Sequence, residues 1–244
     1  SVFQEQDNDE KAEEMYRKAL DIKLEVLPET HIELTELYDM IAVSLKRQGK
    51  SSEAIKMYKH SLAKLLQIHG EDHFAVVLAY NGIAGLLMDQ NRLDDALQMH
   101  DKSIEICLRL KQLEPDFDTD IVVGTLHNKA KVLEKQGNFE DATDLITKAL
   151  MIQLETVGKM DPRTADTYEH LATTYIAQGM LEDGINALTK ALEISRTVLG
   201  DGHPMTKRLA QSHSDISNIE LCNKAQALNE QGFGMKAEGD LEKA

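Results

Sequence analysis

Gln136-Gly137-Asn138-Phe139-Glu140-Asp141-Ala142 is followed by Ile146, Ala149 and Leu150: a turn, then a helix with small and large apolar residues on one face. The same phrase returns downstream at Gln178-Gly179-Met180-Leu181-Glu182-Asp183-Gly184, and two earlier versions run from Gln48-Gly49-Lys50 to Ala54 and from Asn91 to Ala96. Small residues opening alternate helices therefore form a column, Ala12, Ala54, Ala96, Ala142 and Gly184, with steps of 42, 42, 46 and 42. A second column, Ala42, Ala84, Ala130 and Ala172, steps by 42, 46 and 42, and the turns carry Gly49, Asn91, Gly137 and Gly179. Gly and Asn are the residues that best tolerate the left-handed conformation at a helix C-terminus. Three columns sharing one period identify an internal repeat.

Within each repeat the apolar residues recur at helical spacing. The first helix carries Tyr38, Ile41, Ala42 and Leu45, then Tyr80, Ile83, Ala84 and Leu87; later copies hold Leu126, Ala130 and Leu133, then Tyr168, Leu171, Ala172 and Tyr175. The second helix carries Ala54, Tyr58, Ser61 and Leu62, with counterparts at Ala142, Ile146, Ala149 and Leu150 and at Gly184, Leu188, Ala191 and Leu192. Small residues let paired helices approach, and large ones interlock with the neighbouring pair. No pair buries its apolar face alone, so stacking supplies the stability.

The links between repeats also rhyme: Leu27-Pro28-Glu29-Thr30-His31, His69-Gly70-Glu71-Asp72-His73, Val157 to Pro162, and Leu199-Gly200-Asp201-Gly202-His203-Pro204. Gly ends one helix, Asp, Thr or His caps the next, and Pro suits its first turn. The 42-residue period, the Gln-Gly-Lys and Gln-Gly-Asn turns, Glu140-Asp141-Ala142 and the Leu199 to Pro204 link resemble the long tetratricopeptide repeats of kinesin light chains over about residues 11 to 208. That resemblance implies an all-α, right-handed α–α superhelix and a role in protein recognition.

Composition agrees with an all-α chain. The sequence has 244 residues, 42% hydrophobic and 5% aromatic, with 4 prolines and no Trp. Its net charge of -15 argues against a nucleic-acid or anionic-membrane partner, since both require a basic stripe. Two distant cysteines, Cys107 and Cys222, form no disulfide framework, and no run reaches the ~18 apolar residues of a membrane span, so a cytoplasmic setting is expected.

The expected organisation is an acidic lead over 1–10 and an array over 11–204, comprising a partial repeat at 11–31 and repeats at about 32–73, 74–119, 120–162 and 163–204. A long helix over 205–231 and the start of a further truncated repeat over 232–244 follow. The 46-residue step places four extra residues in Lys111 to Asp120. The pattern at Leu228, Gly232, Met235, Gly239, Asp240 and Ala244 resembles half a repeat, so the chain reads as a fragment of a longer array.

In the resembled architecture the first helices line a concave groove for an extended peptide or a helix. Kinesin light chains carry there a Leu-Asn-Asn-Leu-Ala phrase whose amides bind peptide backbone. The corresponding pairs here are Asp39-Met40, Asn81-Gly82, His127-Asn128 and Glu169-His170, so Asn81 and Asn128 are the backbone-binding candidates. His127, Asn128, Lys131 and Lys135 share one helical face, offering charge contacts to an acidic partner, although such a face also serves plain solvation. Gly82 and Gly85 lie inside a helix at a cost of about 1 kcal/mol each; they either hollow the groove for a bulky apolar side chain or permit close helix contact. His69 and His73 have a metal-like spacing, but Gly70 interrupts it and capping explains His73 better. The methionines at 15, 57 and 99 read as core filler.

The function expected is a protein-interaction scaffold whose groove, with Asn81, Gly82, Gly85, His127, Asn128, Lys131, Lys135 and His170 as candidates, holds a partner segment rich in acidic and bulky apolar residues. No catalytic group, cofactor or metal site is expected, because no nucleophile elbow, phosphate loop or ligand cluster occurs. The alternatives are a structural spacer, a regulatory segment of a larger signalling protein, and a co-chaperone-type clamp for a C-terminal carboxylate. A groove mutant with normal partners would favour the spacer, a catalytic domain in the full sequence the regulatory segment.

Overall fold

A computed structural model describes residues 2–114 and 117–241, with side chains described over 8–114 and 117–229. The described residues form ten helices and no strand: α1 Val2–Val26, α2 Ile32–Arg47, α3 Ser51–His69, α4 Phe74–Asp89, α5 Leu93–Leu113, α6 Thr119–Gln136, α7 Phe139–Thr156, α8 Pro162–Ala177, α9 Leu181–Leu199 and α10 Pro204–Leu241. The chain divides into two compact units, Ser1–Leu145 and Ile146–Ala244, with the division inside α7.

The turns inside repeats form as their sequence dictates. Gly49, Asn91, Gly137 and Gly179 all have positive φ, between 60° and 82°. In the first turn Lys50 N–H donates to Leu45 O at 2.9 Å and Gly49 N–H to Lys46 O at 2.9 Å, the paired bonds of a Schellman C-cap. This turn closes the backbone by itself, and α3, α5 and α9 start without a side-chain cap. The first helices differ. Side chains of His31, His73, Asp118, Asp161 and His203 accept from the backbone N–H two residues on, at the starts of α2, α4, α6, α8 and α10.

In the first unit each helix from α1 to α6 packs on the next, and α4 also meets α6. Its core joins Leu20, Leu34, Ile41, Leu45, Ile55, Ile83 and Leu86. Of the small columns there, Ala42, Ala54, Ala84, Ala96, Ala130 and Ala142 are fully buried, whereas Ala12 of α1 is half-buried. In the second unit α8 packs on α9 and α9 on α10, around Ile146, Leu188, Ile194 and Leu209. Gly184 belongs to the small column because a Cβ there would lie 2.7 Å from Ile176 Cγ1 of α8.

Two details depart from the sequence reading. Met57 and Met99 pack on the core, but Met15 is 56% exposed; α1 lies on α2 and has no preceding helix on its other side among the described residues. The four extra residues before α6 are likewise more than a lengthened link, since Phe117 is buried and Asp118 caps α6.

Candidate functional site

The outward stripe of the first helices follows from burial. On α2, Glu36, Met40, Val43 and Arg47 are exposed between the buried positions. Advancing by the repeat period gives Leu78, Gly82, Gly85 and Asp89 on α4, then Gly124, Asn128, Lys131 and Lys135 on α6, each exposed or half-buried. These helices are neighbours: Lys135 Nζ donates to Met88 O at 2.9 Å, and Lys46 Nζ lies 3.8 Å from where a Gly85 Cβ would stand. The stripe therefore combines apolar side chains (Met40, Val43, Leu78), open backbone at Gly85 and Gly124, cations at Arg47, Lys131 and Lys135, and carboxylates at Glu36 and Asp89. In the second unit the same register on α8 holds Asp166, His170, Thr173 and Ala177.

The structure separates the candidate residues into two sets. Gly82, Gly85, Asn128, Lys131 and Lys135 occupy the stripe of the first unit and His170 the same register of α8 in the second, whereas Asn81 and His127 lie one position round the helix and are half-buried. Asn81 is engaged internally. Its Nδ2 donates to Thr125 Oγ1 of α6 at 2.8 Å, and its Oδ1 is 3.1 Å from His100 Nδ1 of α5. Because the amide nitrogen is spent on Thr125, Oδ1 is the acceptor and His100 carries its proton on Nδ1. Thr125 Oγ1 donates onward to Ile121 O at 2.8 Å. Burial, then nearby Lys129, lowers the His100 pKa to about 4 against the opposing charge of Asp101, so this ring is neutral at pH 7. The same column continues into the second unit as Glu169, which holds Arg208 of α10 through bonds of 2.9 and 2.6 Å.

Asp39 takes the Asn81 position one repeat earlier. Burial pushes its carboxyl up to about 6, the Ser61 hydroxyl pulls the other way, and Glu36 adds to the rise. Its Oδ1 is buried without a hydrogen-bond partner. The Ala79 of α4 stands where the next repeat has Thr125, so the hydroxyl that partners Asn81 has no counterpart beside Asp39.

The glycines of α4 have different surroundings. A Cβ on Gly82 would meet the Tyr58 ring at 2.9 to 3.1 Å, so that ring from α3 occupies the adjoining space. Around Gly85 only Lys46 Nζ approaches, and nothing lies within 4 Å at Gly124.

Sequence reasoning passed over His100, Thr125, Met40, Val43 and Arg47. The signal was present for His100: a step of 42 from Tyr58 and of 46 to Ile146 places an imidazole in an apolar core column. Met40, Val43 and Arg47 follow from Gly82, Gly85 and Asp89 by one period.

Other polar clusters are self-satisfied. Lys102 lies over the Tyr80 ring at 5.6 Å beside a cavity lined also by Leu66, Glu105 and Arg109, and Arg109 is held by Asp72 and Glu105 at 2.6 Å each. Among the described residues no three His, Cys, Asp or Glu side chains gather to hold a metal ion, and no helix is long and apolar enough to cross a membrane.

Comparison with known proteins places this geometry. The tetratricopeptide repeat family matches residues 1–67, 33–109 and 122–197. No curated protein sequence matches the chain. Among solved structures, BtubC (BKLC) from P. vanneervenii is similar at 22% identity and a TM-score of 0.69, over 82% of this chain and 78% of that one. Kinesin-light-chain-type, nearly identical TPR-like repeats from Podosopora anserina align at 17% identity and a TM-score of 0.66, over 80% and 92% of the two chains. The apo form of RapI aligns at 14% identity and a TM-score of 0.68, over 86% and 55%. With its kinesin light chain-like repeats, the chain belongs to the tetratricopeptide repeat family.

Proposed function

We propose that the first unit binds a segment of a partner protein along the outward stripe of α2, α4 and α6. The observation that carries this reading is the composition of the stripe. A solvated helix face displays charges at most positions, whereas this one shows Met40, Val43 and Leu78 beside the small residues Gly82, Gly85 and Gly124, with Glu36 and Arg47 on α2, Asp89 on α4, and the cations Lys131 and Lys135 together on α6. Exposed apolar side chains next to bare backbone suit a partner with a bulky apolar residue, and the cations suit flanking carboxylates. Asn128, exposed on the same stripe, is the amide available to the partner's backbone, while Asn81 serves the interior. His170 sits at the same register of the second unit and is proposed as a further contact residue there. The activity assigned is reversible binding, with a cargo- or adaptor-recognition role of the kinesin light chain kind as its finer form.

Selection from a displayed peptide library supplies the test. The wild type is expected to select peptides with a bulky apolar residue flanked by Asp or Glu. Asn128→Ala/Lys131→Glu/Lys135→Glu, checked as equally helical by circular dichroism, should bind them at least about tenfold more weakly, the effect of about 1.4 kcal/mol. Equal binding by the folded variant would remove the stripe of α6 from the proposal.

A further inference from the structure

Three first helices, α2, α4 and α10, begin at a histidine whose Nδ1 accepts a backbone N–H, where α6 and α8 use the carboxylates of Asp118 and Asp161. An imidazole accepts at Nδ1 only when neutral and protonated on Nε2. Protonation turns Nδ1 into a donor facing another donor and sets a positive charge at the positive end of the helix dipole. The start of α4 goes further, because the His73 ring also stacks face to face on His69 of α3, with centroids 3.9 Å apart and planes 7° from parallel.

We infer that the joint between α3 and α4 is a proton-sensitive element of the first unit, in which His73 caps α4 only while its imidazole is neutral and the stack with His69 opposes charging both rings. The charged groups around it are His69 at the end of α3, Glu114 at the end of α5, and Glu71 and Asp72 of the link. The last two are committed to Arg109 of α5 at 3.6 and 2.6 Å. Burial and His69 both lower the His73 pKa, and Glu114 opposes them. Acidification therefore removes the cap and sets a positive charge against the face of the His69 ring. The first turn of α4 holds Phe74 and leads into Leu78, both about half exposed, so loosening it alters the apolar part of the outward face. The inference does not depend on the peptide-binding reading, since cap and stack exist without a partner.

The test compares the wild type with His73→Asn, which keeps a side-chain cap that does not titrate, and with His69→Ala, which keeps the cap and removes the stack. His100 and Asp39 remain in every variant, so their contributions subtract out. In wild type, imidazole 15N resonances should show His73 Nδ1 unprotonated at pH 7.5, and the melting temperature should fall between pH 7.5 and 5. His73→Asn, equally helical at pH 7.5, should narrow that fall by about 2–4 °C. His69→Ala should move the His73 protonation midpoint upward. A fall unchanged in His73→Asn, or a midpoint unmoved in His69→Ala, overturns the inference; if His73→Asn does not fold, the His69→Ala titration decides alone.

Discussion

A Cβ added at Gly82 would sit 2.9 Å from Tyr58 Cζ, while one added at Gly85 would meet only the flexible end of Lys46 at 3.8 Å. The two glycines lie three residues apart in one helix, so both substitutions gain the same helix propensity, about 1 kcal/mol for Ala over Gly. Their surroundings decide the outcome. Gly85→Ala should stabilise the protein by up to about 1 kcal/mol, whereas Gly82→Ala must displace a half-buried ring and should destabilise it by about 1–2 kcal/mol. Urea unfolding of the two variants measures the difference, and equal effects would show that Tyr58 yields freely. The sequence identified both glycines as unusual but gave no means to separate them, because the Tyr58 ring reaches Gly82 across a helix pair. The same limit applies at Asn81. Its register matched a peptide-binding amide, yet the bonds to His100 and Thr125 depend on how α5 and α6 lie against α4, a tertiary fact that repeat spacing does not encode.

Helices were far more legible, because their ends are written in local chemistry. The left-handed turn glycines, Asn91 and the His or Asp caps occur where the repeating phrases placed them, and the small columns mark where helices touch. α10 is the exception. Its start at His203-Pro204 is a clear signal, but the helix runs on through Gly232 to Leu241, since a glycine permits a stop without requiring one. Met205 and Leu209 are buried against α9, whereas Ile219, Leu221 and Leu228 are exposed. Beyond the packed turns, support comes from local pairs such as Lys224 with Glu220 at 3.2 Å and Gln211 with Asp215 at 2.8 Å, worth a few tenths of a kcal/mol each. A helix held only by such pairs is marginal in water. Amide hydrogen exchange should therefore show residues 205–213 protected and residues 221–229 exchanging at least about a hundredfold faster. Equal protection would mean that a partner or a second copy covers the exposed face.

Across the whole protein, two buried groups make stability depend on pH in opposite senses. His100 is neutral when folded, with a pKa lowered to about 4 from an ordinary 6.5. The unfolded chain thus binds the extra proton between those values, and the stability His100 secures above pH 6.5 is lost progressively down to pH 4, by about 3 kcal/mol in all. Asp39 behaves in reverse. Its folded pKa of about 6 exceeds the ordinary 3.8, so the folded state binds the proton more tightly, and the cost of burying the charge disappears as pH falls through 6. Between pH 7 and 5 the two effects oppose each other, so their combined contribution to acid sensitivity should be smaller than that of His100 alone. Asp39→Asn removes one side of this balance. Without a charge to bury, the variant should be more stable than wild type at pH 7.5 by about 1–3 kcal/mol, and its advantage should shrink by pH 5 as the wild-type carboxyl takes up its proton. Urea unfolding at the two pH values reads both quantities. An Asp39→Asn protein no more stable at pH 7.5, or one whose advantage is constant with pH, would show that the Asp39 carboxylate is well solvated in the folded chain.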